Sequence, residues 1–226
     1  NGDVGFQGRT EPLNYTGNTH GSLACVHGQW YVFYHRQTNK HNYSRQACAE
    51  PISFAEDGSI AQVEVTSCGL NGGALVGKGS YPAYIACNLM SKSGALHYGT
   101  AATPEAEGHP YLTQTGEDRE ENGDQYIADM QDGALAGFKY FEFTGKTKIG
   151  IEVSGHGEGV MEVWTKLEEA CGMETHGMEA ALRKPICKIA LRVEGEKRTF
   201  EGEEVELQGK QSLYFTYRGS GSVDFH

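Results

Sequence analysis

Short, largely apolar runs typical of β-strands recur at regular spacing between Ser22 and Val65. Two dipeptides, His27-Gly28 and Asp57-Gly58, separate these runs and are typical of hairpin turns, in which glycine supplies a positive φ angle. The pattern predicts four strands, at 22–26, 30–36, 44–54 and 60–65. Four short antiparallel strands in sequence order are typical of one blade of a β-propeller.

The second of these strands is apolar on both faces. One face carries Trp30, Val32 and Tyr34, and the other carries Tyr31, Phe33 and His35. A strand of this kind must be covered on both sides. A single blade cannot cover itself, because a propeller closes only with about four blades or more. We therefore expect residues 1–70 not to fold alone.

The second part of the chain also reads as strands and turns. Ile149, Ile151 and Val153 alternate with small or polar residues, and Leu213, Phe215 and Tyr217 alternate with Tyr214 and Thr216. Strands at such intervals are typical of a β-sandwich. We predict an all-β protein with a blade region at 1–70, a glycine-rich linker at 71–80 and a jelly-roll β-sandwich at 81–226. Residues 167–183 are compatible with either a short helix or a long loop.

Composition excludes some partners. The net charge of −11 over 226 residues argues against nucleic acid, whose phosphates require clustered Lys and Arg. No apolar run approaches the roughly 20 residues of a transmembrane helix, so we expect no membrane partner. A neutral polysaccharide fits this charge, and so does ordinary solubility.

The six cysteines form no CxxC pair, and we expect them to be buried free thiols rather than a disulfide framework. Free thiols argue against a secreted protein that depends on disulfides, although extracellular and cytoplasmic bacterial locations both remain open. The chain starts without an initiator Met or a signal peptide, and we interpret it as a C-terminal piece of something longer.

Two blocks of motifs carry a family resemblance. THGSL (19–23), GQWYVFYHR (28–36), SRQACAEPI (44–52) and EDGSI (56–60) together resemble the last blade of a family 43 glycoside hydrolase. AGFKYF (136–141), SLYFTYRGSG (212–221) and the dipeptide Asp224-Phe225 are similar to a family 6-type carbohydrate-binding β-sandwich. Sandwiches of this type often follow such propellers, and the two blocks together cover most of the chain.

The resemblance implies a five-bladed propeller that hydrolyses arabinose- and xylose-containing plant cell-wall polysaccharides with inversion. Inverting hydrolysis needs a general acid and a general base about 6.5–9.5 Å apart. The family uses two Asp residues and one Glu residue from earlier blades, and no Asp or Glu of this chain matches them. We therefore predict no catalytic residue in this chain, with the missing N-terminal blades as its partner and no activity when it is expressed alone.

Two pocket residues follow from the same resemblance. His20 occupies the position of a histidine at the propeller axis that often reaches a central calcium ion through water. Arg45 matches an arginine that contacts sugar hydroxyls or the carboxylate that tunes the acid. A guanidinium beside a carboxylate orients it and lowers its pKa. Without the resemblance, His20 would be interpreted as a turn cap and Arg45 as a solvated charge.

An acidic stretch offers a second metal candidate. Its possible ligands have approximately the spacing of a calcium loop and are Asp118, Glu120, Asn122, Asp124 and Asp129. A solvated acidic loop is the other interpretation. We expect calcium as the candidate cofactor, either here or at the propeller axis, and no organic cofactor. Several tyrosines offer faces on which sugars could stack, namely Tyr81, Tyr84, Tyr98, Tyr111 and Tyr126.

Two alternatives to the hydrolase remain open. In the first, the protein binds carbohydrate without hydrolysing it, and the sandwich does the binding. In the second, the sandwich is purely structural and supports the propeller. The scarcity of Ser, Pro and Thr between Cys68 and Val76 favours this second alternative, because a flexible tether is richer in these residues.

Overall fold

A computed structural model describes residues 2–15, 20–95, 108–116, 123–171 and 184–226. Strands dominate these ranges, which confirms the all-β class. The only α-helix within them is α1 (Leu167–Ala170), and short 3₁₀ turns occupy Phe6–Gly8, Gly69–Asn71 and Ala83–Ile85. No helix in the described part of the chain has the length and hydropathy to cross a membrane.

A three-stranded antiparallel sheet is formed by β1 (Gly21–Val26), β2 (Gln29–Thr38) and β3 (His41–Ile52), in that order. The predicted turn between β1 and β2 is confirmed, because His27 and Gly28 have φ angles of 49° and 84°. This is the backbone of a two-residue turn in which both central residues have positive φ.

The predicted fourth strand of this sheet is wrong. Residues 60–65 form a single bridge, between Ile60 and Phe54, and no ladder. The N-terminal segment binds this stretch instead: Gln62 Nε2 donates to the Val4 carbonyl at 2.9 Å, and the Val65 N–H donates to Asp3 Oδ1 at 2.7 Å. The Gln62 side chain and the Val65 N–H thus bind the N-terminal segment and not β3.

Within the described ranges, the second sheet has six strands. They are β4 (Leu75–Val76), β5 (Asn88–Met90), β6 (Tyr111–Gln114), β7 (Gln125–Met130), β8 (Leu135–Trp164) and β9 (Cys187–Phe225). The main order is β4-β8-β9-β7-β6, and β5 pairs with β8. Because β4 pairs in parallel with Phe141 and Glu142, part of the predicted linker at 71–80 lies along this sheet. The proposed domain boundaries at 70 and 80 stay a prediction.

Strands β8 and β9 form one long antiparallel ribbon that folds back on itself. Residues 135–163 of β8 pair with residues 216–187 of β9, running in opposite directions. The second half of β8, residues 153–164, pairs a second time with residues 225–214. The fold-back wraps the two strands around the main apolar core, to which β5, β6 and β7 also contribute.

The alternation predicted for β8 is confirmed, since Ile149, Ile151 and Val153 are all buried in that core. The end of β9 differs from the prediction, because Tyr214 and Thr216 are buried as well. Tyr214 belongs to a second cluster, with Trp164 and Leu167, that covers the other side of the strand. Alternation in the sequence therefore identified the inner face of β9 but missed the cover over its outer face.

The six cysteines are free thiols, as expected. Their predicted burial is only partly correct. Cys87 and Cys187 are buried, whereas Cys25 in β1 and Cys171 after α1 are exposed. Cys25 is exposed because it lies on an edge strand beside Trp30, on a stretch of sheet that the described residues leave open.

A buried ion-pair network joins the N-terminal segment, the 60–65 stretch and β8. The Lys139 ammonium lies 3.0 Å from Asp3 Oδ2 and 2.8 Å from Glu64 Oε1. The side chains of Lys139 and Asp3 are only 4% and 2% exposed. Burial by itself lowers the pKa of Lys139, but its surroundings, including the hydrogen bonds to Glu64 and Asp3, outweigh that effect and raise it.

Candidate functional site

The structure places both predicted pocket residues on one face of the three-stranded sheet. His20 directly precedes β1, and its ring stacks on that of His35 in β2, with centroids 5.7 Å apart and planes at 19°. Arg45 in β3 is paired with Gln37 in β2. Paired residues, and residues two apart in a strand, share a face. His20, His35, Gln37 and Arg45 therefore occupy the same face at the same end, and we call this group the His20 corner.

The His20 corner is a set of hydrogen-bond donors and acceptors. His20 and Arg45 are exposed, whereas Gln37 is buried. Among the residues that the described ladder of β1, β2 and β3 places on this face, none is Asp or Glu. Imidazole and guanidinium groups can hold sugar hydroxyls or orient a carboxylate. They do not by themselves supply the acid and base of an inverting glycosidase.

His35 and Gln37 were missed as site residues from the sequence. The period of the strand already places both on the face of Tyr31 and Phe33. The missing information was the register between β1 and β2, which sets Gly21 opposite Tyr34 and so brings His20 beside His35.

Side chains on the other face of the three-stranded sheet make structural contacts with residues outside the sheet. Arg36 donates to Gln46 Oε1 at 2.6 Å and to the carbonyl oxygens of Tyr84 and Ala86. Glu50 is only 2% exposed. Its carboxyl accepts from the Thr66 N–H at 2.6 Å and the Thr66 hydroxyl at 2.7 Å. Burial raises the pKa of Glu50 to about 7, although the hydrogen bonds from Thr66 act in the opposite direction.

A cavity of about 230 Å³ opens beside the buried ion pairs. Asp3 and Glu64 line it together with Lys139, Tyr214 and Leu167. Both carboxylates bind the same ammonium, so neither is placed as the acid or base of a hydrolytic pair. We infer that the network has a structural role, in which it holds the N-terminal segment and the 60–65 stretch against β8.

A polar surface covers the outer side of the second sheet. The rings of Tyr126 and His226 stack with centroids 4.8 Å apart, and His226 Nε2 lies 2.8 Å from the Ser154 hydroxyl. Tyr126 and Asp224 flank the buried residues Ile127 and Phe225 in sequence and so point outward. We call the group formed by Tyr126, His226, Ser154 and Asp224 the Tyr126 face.

The other candidate tyrosines have different surroundings. Tyr81 packs edge-on against Phe141 at 5.2 Å, and its hydroxyl donates to the Val76 carbonyl. Tyr84 is partly buried against the main core, and Tyr98 lies outside the described residues. Tyr111 lies next to the Tyr126 face, beneath the Lys40 ammonium.

The proposed calcium loop is only partly described, because Asp118, Glu120 and Asn122 fall outside the ranges given above. Asp124 pairs with Lys197 at 3.1 Å. Asp129 accepts hydrogen bonds from the Ser222 hydroxyl and from Gln131. Within the described ranges, no three His, Cys, Asp or Glu side chains are grouped as metal ligands. Calcium at the loop or near His20 stays a prediction.

Comparison with known proteins gives one strong sequence match. No family model matches the chain. It is 42% identical over 214 residues to a xylosidase/arabinosidase from Thermoclostridium stercorarium, an alignment that covers 94% of this chain and 42% of that protein. The chain thus spans about two fifths of the length of this relative.

A solved structure with a TM-score above 0.5 shows a similar fold. A glycoside hydrolase family 43 arabinoxylan arabinofuranohydrolase from Bacillus subtilis, in complex with cellotetraose, matches 92% of this chain and 40% of its own. The TM-score is 0.53 at 17% identity. CsCBM6-3 from Clostridium stercorarium, in complex with cellobiose, matches 68% of this chain and 93% of its own, with a TM-score of 0.46 at 12% identity. The chain is therefore a relative of a xylosidase/arabinosidase, and its fold is similar to that of a family 43 glycoside hydrolase, as its motifs predict.

Proposed function

We propose that this chain is the pocket-closing and accessory part of a glycoside hydrolase that acts on arabinose- or xylose-containing plant polysaccharides. The observation that carries the proposal is the His20 corner, in a chain 42% identical to a xylosidase/arabinosidase. The corner offers donors for sugar hydroxyls and carries no carboxylate in the described ladder. We infer that the acid and base come from a part of the protein outside this chain and that hydrolysis proceeds with inversion.

The exposed apolar residues of the three-stranded sheet support this proposal. Leu23, Trp30 and Phe54 are 46%, 42% and 45% exposed, and the Trp30 and Phe54 rings contact each other edge-on at 5.4 Å. Leu23, Cys25 and Trp30 share one face by register. Contiguous exposed apolar surface of this kind marks an interface. Further propeller blades are the partner that we propose for it.

A chimaera tests the proposal. In it, this chain replaces the 214 matched residues of the T. stercorarium relative, and 4-nitrophenyl arabinofuranoside and xyloside are the substrates. We expect turnover from the chimaera and none from the 226-residue chain alone. Proton NMR of the released sugar would show the inverted anomer first. Turnover by the pure chain would show that our placement of the catalytic carboxylates is wrong.

Variants of the chimaera separate the pocket from the scaffold. Replacing Arg45 with Ala removes charged hydrogen bonds and should lower kcat/KM about tenfold or more. The matched control is Arg192→Ala, because Arg192 is an exposed side chain paired with Glu194 on the second sheet. If the folded Arg45→Ala chimaera is as active as the Arg192→Ala chimaera, Arg45 does not contribute to the pocket.

A second candidate function is carbohydrate binding without hydrolysis, and the Tyr126 face favours it. An aromatic ring pair beside hydroxyl and carboxyl groups is suited to the apolar faces and hydroxyls of a sugar. Calorimetric titration of the chain with arabinoxylan oligosaccharides tests this function. Absence of heat up to about 10 mM ligand would leave the sandwich with a purely structural role.

A further inference from the structure

Asp129 has an unusual backbone near the end of strand β7. Its φ angle is 61°, in the left-handed region, and the pairing of β7 with β9 shifts register around it, between Ile127 and Met130. Non-glycine residues in this region are strained and cluster at functional sites, and register irregularities re-aim side chains. Strand β7 therefore bends at Asp129 and turns its carboxylate away from the regular ladder.

A dense network holds Asp129 in this conformation. Its N–H donates to Asp224 Oδ1 at 3.1 Å, and its Oδ1 accepts from the Ser222 hydroxyl and from Gln131 Nε2, both at 2.9 Å. The Asp129 side chain is still 28% exposed. These contacts satisfy Oδ1, while Oδ2 lies on the side of Lys40 at 3.8 Å.

Lys40 comes from the other sheet. It lies at the tip of the β2–β3 hairpin, where Asn39 and Lys40 have φ angles of 55° and 50°. The Asn39 N–H donates to the Leu112 carbonyl at 2.8 Å, and the Thr113 hydroxyl donates to Asn39 Oδ1. The hairpin tip is thus fixed on β6. The Lys40 ammonium lies 4.4 Å above the centroid of the Tyr111 ring and 3.8 Å from Asp129 Oδ2.

This arrangement borders the Tyr126 face. Asp129 contacts Asp224 directly, and Tyr126 precedes Asp129 by three residues in β7. In the first half of β3, Gln46 Nε2 donates to Gln125 Oε1 at 3.1 Å, which joins β3 to β7 beside Tyr126. The β2–β3 hairpin of the first sheet therefore borders the Tyr126 face of the second sheet.

We propose that Asp129 is a carbohydrate ligand of the Tyr126 face, with its carboxylate accepting hydrogen bonds from sugar hydroxyls, and that Lys40 is its positioning residue. The ligand class is a neutral oligosaccharide. A partly exposed carboxylate near aromatic rings pairs with vicinal hydroxyls without requiring a charged ligand. This inference rests on the second candidate function proposed above. It adds that both sheets build the site.

Calorimetric titration of the full chain with xylotetraose tests the proposal. We expect Asp129→Ala to weaken binding about tenfold or more, because it removes a charged acceptor. Lys40→Met should weaken binding about threefold, as expected for loss of a long, partly exposed ion pair, and Lys40→Arg should restore it. Lys146→Met is the matched control, because Lys146 pairs with Glu204 on an exposed part of the ribbon and should change nothing.

Thermal melts of each variant separate loss of binding from loss of fold. A folded Asp129→Ala protein that binds xylotetraose like the wild type would overturn the proposal, and so would a wild type that binds no xylotetraose. Unchanged binding in Lys40→Met would overturn the role of Lys40. The hydrolase proposal is judged separately, by turnover of the chimaera on a 4-nitrophenyl glycoside, so the two proposals fail on different measurements.

Discussion

Replacing Lys139 with Met should destabilise the fold severely. Met keeps most of the volume of the side chain and removes the ammonium that both carboxylates bind. Breaking a buried ion pair by removing one partner costs about 3–5 kcal/mol, because the remaining charge is left buried without compensation. Asp3 is almost fully buried, whereas Glu64 is 24% exposed and is partly stabilised by water. We therefore expect a loss near the lower limit, about 3 kcal/mol at pH 7.

Urea unfolding followed by circular dichroism measures this loss, and a thermal melt should show a decrease of roughly 10 °C for a domain of this size. The matched control is Lys148→Met, because Lys148 pairs with Glu201 at 2.6 Å with both side chains more than half exposed. Exposed pairs contribute at most about 1 kcal/mol. If Lys139→Met costs no more stability than Lys148→Met at pH 7, the network does not have the structural role that we infer.

Two further predictions follow from the packing. Burial raises the pKa of Glu50 to about 7, so its stabilising contribution is complete below its unfolded pKa near 4.3 and is lost as the pH rises through 7. In Glu50→Gln this loss of stability, up to about 3 kcal/mol, should be absent when urea midpoints are measured between pH 4.5 and 7.5. The same pH profile in the wild type and the variant would contradict this prediction. Gly159 in β8 faces Gly219, and a Cβ added at Gly159 would meet the Arg218 carbonyl, so Gly159→Ala should cost about 1–3 kcal/mol. Gly150→Ala, with its nearest neighbour at 3.4 Å, should be nearly neutral, and equal urea midpoints for the two variants would refute the close approach.

The sequence predicts the parts of this fold that depend on local signals. The predicted turn at His27-Gly28 and the predicted alternation in β8 are confirmed, because both depend on residues that are neighbours in the sequence. The strand at 60–65 was wrong because its competitor is the N-terminal segment, about 60 residues away in sequence.

Long-range pairing also explains which residues of the site were found. His20 and Arg45 were named from motif resemblance, and the structure adds His35 through strand register. The buried charges were not predictable, because a Lys such as Lys139 reads as a surface residue until its partners at Asp3 and Glu64 are known. Asp129 was predicted as a metal ligand from spacing alone, whereas the left-handed backbone that motivates our proposal is visible only in three dimensions.

The ribbon of β8 and β9 has a consequence for how this protein is made. Residues 214–225 pair with the second half of β8, and Ile127 and Met130 of β7 pair within the same stretch. The second sheet therefore cannot close until residue 225 has left the ribosome. At about 5–20 residues per second, the apolar side of β8 stays uncovered for several seconds of synthesis. Pairing of residues so distant in sequence is also slow. We expect the nascent chain to need protection from aggregation during this interval, most of all at the phenylalanine-rich start of β8.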